Sequence, residues 1–140
     1  MRITADTNVL ISAAFWNGDS SRIIEKAENK ELKLILSKEI LEEFIGVLSY
    51  KEIRDKIECK NLEMKRTVER IAAISEIVEP KNRLNVIRDD LDDNKILECA
   101  IEGKSRFIIT KDNHLLKIKE YEGIGILTPS EFLKTYYKHF

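Results

Sequence analysis

Apolar residues along the chain follow two alternating patterns: short apolar runs, typical of buried strands, and longer stretches with apolar residues at helical spacing. The short runs predict five strands, at 2–5, 32–36, 77–78, 107–109 and 124–127. Helical stretches separate most of them, and we interpret the longest, 51–75, as two helices broken near Lys60 and Asn61. Strands that alternate with helices favour a parallel sheet covered on both faces, a three-layer α/β/α architecture.

The stretch from 88 to 112 combines an acidic cluster, an amphipathic helix and a short strand. The apolar residues after Asp93 share one helical face: Ile96, Leu97, Ala100 and Ile101. Gly103 is placed to end this helix. Asp93 begins the buried face, where a carboxylate is costly to desolvate unless it caps the helix, is protonated or meets a cation. Thr110 and Asp112 follow the next strand at its carboxyl end, where ligands bind in open parallel sheets.

Two further acids occupy comparable places. Asp6 stands at the carboxyl end of the first strand. Glu43 flanks the apolar face of the helix after the second strand. Carboxylates brought close together repel one another, so such a cluster needs protons or hard divalent cations, and oxygen ligands suit Mg²⁺ or Mn²⁺. Two such ions about 4 Å apart would activate a water and stabilise the leaving oxygen of a phosphodiester.

Each of these acids also has a structural interpretation. An aspartate at a helix start is more often a cap than a ligand, which applies to Asp6, Asp93 and Asp112. Glu43 alone is more often a solvated helix residue. The four acids together, at these places, favour the metal site.

Two other metal chemistries fit the sequence poorly. Zinc is disfavoured because the two histidines, His114 and His139, show no ligand spacing to a cysteine pair, and a structural role is the default for both. A calcium loop across the acidic cluster fails because Lys95 stands where the sharp-turn glycine belongs and Ile101 where the bidentate glutamate belongs.

The composition sets wider bounds. The 140 residues fit one domain, 1–140, and two cysteines are too few for a disulfide framework, so we expect a cytoplasmic protein. No apolar run approaches the roughly 20 residues of a membrane span, and Asp6 interrupts the first apolar segment, so we expect neither a membrane anchor nor a signal peptide. The net charge of -1 gives no general nucleic-acid signal. With the four site acids set aside, however, 21 acids remain against 24 basic residues.

Several segments together resemble the PIN-domain ribonucleases, close to the toxin-component branch found in prokaryotes. They are DTNVL at Asp6, ILEEF with Glu43, DDNKILECA with Asp93, ITKD ending at Asp112, and the closing ILTPSEFL. The resemblance implies a PIN-like fold with five parallel strands in the order 3-2-1-4-5. It also implies an Mg²⁺- or Mn²⁺-dependent ribonuclease.

The same resemblance implies roles for individual residues. The metal ligands map onto Asp6, Glu43, Asp93 and Asp112, and the positions that support them map onto Asn8 and Thr110. The additional acids Asp89, Asp90 and Asp92 leave open which member of the cluster reaches the metal, and helical phase favours Asp93.

The expected partners are RNA, an antitoxin chain and a second copy of the protein. Lys51, Arg54 and Lys111 are candidate RNA contacts, although the basic residues from 51 to 70 fit a solvated face equally well. An antitoxin would cover the acidic cleft, with a basic residue near the metal site. Self-association would give a homodimer.

Two other functions compete with the ribonuclease hypothesis. An aspartate-nucleophile phosphatase of the haloacid-dehalogenase type also begins with an apolar strand that ends in an Asp-x-Asp-like motif, followed by a strand ending in Ser or Thr, here Ser37. Asn8 replaces its second aspartate, which would be the general acid. A non-catalytic PIN-like module that binds RNA or a protein is the other alternative, and the intact set of acids argues against it.

Overall fold

The computed structural model describes residues 1–59, 63–87 and 93–139. The predicted helix break near Lys60 and Asn61, and the acids Asp89, Asp90 and Asp92, lie outside these ranges. The described strands are β1 (Arg2–Ala5), β2 (Lys33–Ser37), β3 (Ser75–Val78), β4 (Phe107–Ile109), β5 (Glu120–Tyr121) and β6 (Ile124–Leu127). The described helices are α1 (Thr7–Phe15), α2 (Asp19–Glu28), α3 (Lys38–Leu48), α4 (Lys51–Cys59), α5 (Met64–Ala73), α6 (Asn94–Glu102), α7 (Asn113–Leu116) and α8 (Pro129–His139).

The sheet has the order β3-β2-β1-β4-β6-β5, and helices flank it. The strands β3, β2, β1, β4 and β6 pair parallel with one another in this order, which confirms the predicted α/β class with a parallel sheet. The predicted fifth strand is β6, and the predicted count of five was too low by one. The additional strand, β5, pairs antiparallel with β6 across a turn at Glu122 and Gly123, both of which have positive φ. Such a two-residue turn joins hairpin strands well, but β5 is too short to show an alternating pattern.

Helix α6 lies close against the sheet because its end carries no side chain. Gly103 caps the helix as predicted, and a Cβ atom there would overlap the side chain of Ile35 on β2. The apolar face of α6 is buried against the sheet, with Leu97 and Ala100 fully inaccessible. This packing fixes the start of α6, and therefore Asp93, relative to the sheet.

The carboxyl edge of the sheet gathers the helix starts. β1 and β4 are neighbours in register, with Ala5 opposite Ile109, so the residues that follow them emerge side by side. Ser37 ends β2, and its hydroxyl accepts a hydrogen bond from Ile40 N at 3.2 Å, which caps the start of α3. Within the described ranges, no helix is long and apolar enough to cross a membrane.

Candidate functional site

Asp6 links the first strand to the first helix. It follows β1 directly, is 7% exposed and caps α1, since its Oδ1 accepts a hydrogen bond from Val9 N at 3.0 Å. Its other oxygen, Oδ2, accepts a hydrogen bond from the hydroxyl of Thr110. Asp6 therefore caps α1 with only one of its two carboxylate oxygens, so this cap does not exclude a role in binding metal.

Thr110 connects Asp6 to Asp112. Its side chain is fully buried at the end of β4, and its Oγ1 accepts a hydrogen bond from Asp112 N at 3.0 Å. Asp112 in turn caps α7, because its Oδ1 accepts a hydrogen bond from His114 N at 2.8 Å. One threonine hydroxyl thus fixes the spacing of two strand-end acids.

Glu43 enters the site from α3. It is half-buried, and its Oε2 forms an ion pair with Lys95 Nζ of α6, whose side chain is only 19% exposed. Sequence reasoning did not identify Lys95 as a site residue.

Asp93 occupies the capping position of α6 without acting as a cap. Within the described part of the chain, its side chain makes no capping hydrogen bond to the helix. Its Oδ2 instead lies 3.7 Å from His114 Nδ1, and Asp112 Oδ1 lies 3.5 Å from the same nitrogen. Donor atoms of Asp93, Asp112 and His114 all lie within 4.8 Å of one another, a spacing that could hold a metal ion.

These side chains meet at one cleft of about 150 Å³. It is lined by Asp6, Thr7, Asn8, Glu43, Asp93, Lys95, Ile96 and Asp112. All four acids named from the sequence therefore come together. Asn8 is exposed, and it makes no hydrogen bond to an acid among the described residues, so nothing in its contacts indicates the supporting role expected for it.

The family follows from a comparison with known families. The family described as PIN domain matches residues 2–114, which is most of the chain. The chain belongs to the PIN domain family. No curated protein matched it. The match confirms the family expected from the sequence motifs and a nuclease-type fold, and supports a hydrolase at a coarse level.

Burial dominates the electrostatics of Asp6 in the cleft of this PIN domain. Burial raises the pKa of Asp6 above its ordinary value, and the nearby charges of Asp112 and Glu43 raise it further. The hydrogen bonds from Thr110 and Val9 N lower this pKa, but burial dominates. A carboxylate in such a place gains most from a cation. Carboxylates and an imidazole are suitable ligands for a divalent metal.

The basic residues expected to contact RNA lie outside the lining of the acidic cleft. Lys51 and Arg54 are exposed in the first turn of α4, and Lys111 is exposed between Thr110 and Asp112. None of the three is among the described side chains that line the acidic cleft. Lys111 instead lines a larger neighbouring pocket.

Sequence reasoning missed His114 because it required a ligand spacing to cysteines. The structure shows that its neighbours are acids, so the default structural role did not describe its surroundings. The available signal was its position two residues after Asp112, in a segment that begins a helix.

Proposed function

We propose that this PIN domain is an Mg²⁺- or Mn²⁺-dependent ribonuclease that hydrolyses phosphodiester bonds in RNA. The observation that carries the proposal is the convergence of Asp6, Glu43, Asp93 and Asp112 on one cleft at the carboxyl edge of a nuclease-type fold. That edge is where open parallel sheets bind their ligands.

The donor groups fit a divalent cation. Asp93, Asp112 and His114 offer three closely spaced donor atoms, and the burial of Asp6 makes its negative charge costly without a cation. A bound Mg²⁺ or Mn²⁺ would supply Lewis-acid stabilisation of the phosphate and a lowered pKa for a water nucleophile. We propose His114 as an additional donor beside the four acids.

The protein's own residues position these groups. The start of α1 and the Thr110 hydroxyl hold Asp6 in one orientation. In the metal-free protein Lys95 balances the charge of Glu43, because its ammonium forms an ion pair with that carboxylate from the facing helix. Such positioning prepares the electrostatic environment before the reaction, so little reorganisation is needed in the transition state.

The test is RNA cleavage in Mg²⁺, in Mn²⁺ and in EDTA, alongside hydrolysis of an aryl phosphate. We expect metal-dependent cleavage of RNA, lost by about 100-fold or more in Asp6→Asn and Asp93→Asn, the scale of removing one electrostatic stabiliser. Asp55→Asn is the matched control, because Asp55 is an exposed acid of α4 outside the cleft. Cleavage that persists in EDTA or in both variants would contradict the proposal. Hydrolysis of the aryl phosphate alone would favour the haloacid-dehalogenase-type phosphatase. No hydrolysis of either substrate would favour the non-catalytic PIN-like module.

The proposal extends to a cytoplasmic toxin of a single domain, 1–140, that forms a homodimer and is held inactive by an antitoxin. The sequence resemblance supports the toxin role, and the Lys95–Glu43 pair indicates that a lysine ammonium fits among these acids, as a basic antitoxin residue would have to. Co-expression with the adjacent open reading frame should rescue growth and co-purify a partner chain. Failure of both growth rescue and co-purification would count against the toxin role. Light scattering would test the dimer.

A further inference from the structure

A second pocket, of about 480 Å³, opens at the same edge of the sheet as the acidic cleft. Lys111, which lies between Thr110 and Asp112, forms part of its lining. Thr128, which follows β6, and Trp16, which ends α1, form other parts. The pocket therefore adjoins the segment that carries two of the candidate site residues.

The volumes of the acidic cleft and of the second pocket suit ligands of different size. The acidic cleft, at about 150 Å³, is lined mainly by charged side chains and suits ions and phosphate oxygens. Pockets that bind small organic ligands typically have volumes of roughly 300–1,000 Å³. The second pocket falls within that range and the acidic cleft does not. A nucleobase attached to a phosphate in the cleft must lie outside the cleft, and the second pocket is large enough to hold it.

Trp16 gives this pocket a surface suited to a base. It is the only tryptophan of the chain and is 46% exposed, which is unusual for so large an apolar side chain. Lys56 Nζ lies 4.3 Å from the centre of its ring. Asp6 and Trp16 cap opposite ends of α1, so their backbones are separated by about 15 Å at 1.5 Å per residue.

We propose that this pocket binds a nucleotide of the RNA strand next to the scissile phosphate, with its base stacked on Trp16 and its phosphate near Lys111. The inference rests on the proposed ribonuclease function and adds to it a site for the flanking nucleotide.

The chemistry of the lining favours single-stranded RNA as the occupant. Proteins bind unpaired strands by stacking bases on aromatic side chains and by placing cations along the backbone, and both elements occur here. Lys111 of the lining supplies one cation, and Lys56, which lies over the Trp16 ring, supplies another. Among the described residues of the lining, Asp19 is the one acid. Its Oδ1 lies 3.4 Å from Arg22 Nη1, so its charge is partly balanced.

Trp16 itself is the probe for the first experiment. A single-stranded RNA tetranucleotide of mixed sequence is titrated into the wild-type protein in EDTA, and the emission of the only tryptophan is recorded. Stacking should quench or shift that emission in a saturable manner. Gel analysis of the RNA after the titration checks that it stays intact.

Matched variants give the second measurement, the affinity for a fluorescein-labelled RNA by anisotropy. Trp16→Leu should weaken binding by roughly 5- to 140-fold, the equivalent of losing one stacked base, and Trp16→Phe should retain part of it. Tyr137→Leu is the control, because Tyr137 is a 62% exposed aromatic on α8. Its neighbour Tyr136 donates a hydrogen bond to Glu31 just before β2, which places this control at the opposite edge of the sheet.

The outcomes separate this inference from the proposed function. Saturable quenching, with weaker binding by Trp16→Leu alone, supports the pocket whether or not the RNA is later cleaved. Metal-dependent cleavage with unchanged Trp16 emission, and equal affinity for wild type and Trp16→Leu, would overturn the pocket and leave the nuclease intact. RNA that fails to bind the wild type at all would also overturn it and would favour a protein partner at Trp16.

Discussion

The sheet side of the acidic cleft and its helix side hold their carboxylates in different ways. On the sheet side, Asp6 is buried, and it bonds to a backbone N–H and to the hydroxyl of Thr110. No cationic side chain of the described residues forms an ion pair with it. On the helix side, the carboxylate of Glu43 meets the ammonium of Lys95 and is partly exposed.

This difference shows where the repulsion in the cleft lies. The sequence suggested four carboxylates that repel one another, but the structure gives Glu43 a cationic partner in Lys95. The cost of ionisation is clearest at Asp6, whose pKa is raised mainly by burial. The sheet side therefore fixes geometry through buried hydrogen bonds from uncharged donors, and the helix side balances charge through a lysine ammonium that a metal can replace.

Apart from the loss of the acids themselves, the largest effect should come from the hydroxyl that organises the sheet side. Thr110→Val removes the donor to Asp6 and the acceptor for Asp112 N without changing the side-chain shape much. We expect cleavage of RNA to fall by roughly 10- to 100-fold, the usual cost of losing a group that orients a metal ligand. Steady-state cleavage rates in Mn²⁺ measure it.

Thr67→Val is the control for this change. Thr67 is also buried, but its hydroxyl donates only to the carbonyl of Glu63 at the start of α5. Equal losses of activity in the two variants would mean that a buried threonine matters only for stability, and the orienting role of Thr110 would be wrong.

A smaller effect is expected where the two sides meet at His114. His114→Gln should weaken Mn²⁺ binding by about tenfold and Mg²⁺ binding less, because imidazole suits Mn²⁺ better than Mg²⁺. Calorimetric titration with each ion measures the affinities, and nitrogen coupling in the electron spin resonance of bound Mn²⁺ detects the imidazole directly. His114→Asp should restore affinity for Mg²⁺. Nitrogen coupling that is absent from the wild type would exclude His114 as a ligand.

The sequence predicted those parts of the molecule that depend on local patterns. The five predicted strands and the end of α6 at Gly103 follow from residues close together in the chain, and the structure confirms them. The same patterns placed Asp6, Asp93 and Asp112 at strand or helix ends. They also placed Glu43 beside the apolar face of a helix. Their roles in catalysis stay predictions.

What the sequence did not reveal depends on contacts between distant elements. From the sequence, Lys95 was only evidence against a calcium loop. Its partner Glu43 belongs to another helix, so their contact could not be seen from the sequence. Asp6 looked equivalent to the other acids, because burial at the strand end, which raises its pKa, is a property of the packed sheet. Periodicity carries no information on either contact.

Changing the helix side should have opposite effects on metal affinity and on stability. Lys95→Gln removes the ammonium that competes with a metal for Glu43, so Mn²⁺ should bind about two- to fivefold more tightly, the scale of one partly exposed ion pair. The same change should lower the melting temperature in EDTA, because Glu43 loses its counter-charge. Lys38→Gln is the matched control, since Lys38 pairs with Glu42 on the exposed face of α3 at 3.9 Å. Weaker Mn²⁺ binding by Lys95→Gln would show that Lys95 supports the site rather than competing with a metal.

The smallest effect concerns stability on the sheet side, and its sign follows from the pKa of Asp6. Because this pKa is raised above its ordinary value of 3.8, the folded state holds the proton more tightly than the unfolded state. Stability therefore falls as the pH rises from that value through the raised pKa, and the full penalty is present above the raised pKa. Asp6→Asn removes the penalty and keeps the helix cap, since asparagine caps about as well as aspartate. The variant should melt roughly 1 to 3 °C higher than wild type at pH 7 in EDTA. The difference should shrink toward zero below pH 3.8, where Asp6 is protonated in both states.

Asp93→Asn, beside His114, should change the melting temperature less, and Asp55→Asn on the surface should not change it. Melting curves of the three variants from pH 3 to pH 8 measure these differences. An equal rise in melting temperature for Asp6→Asn and Asp93→Asn would show that the repulsion is shared across the cleft.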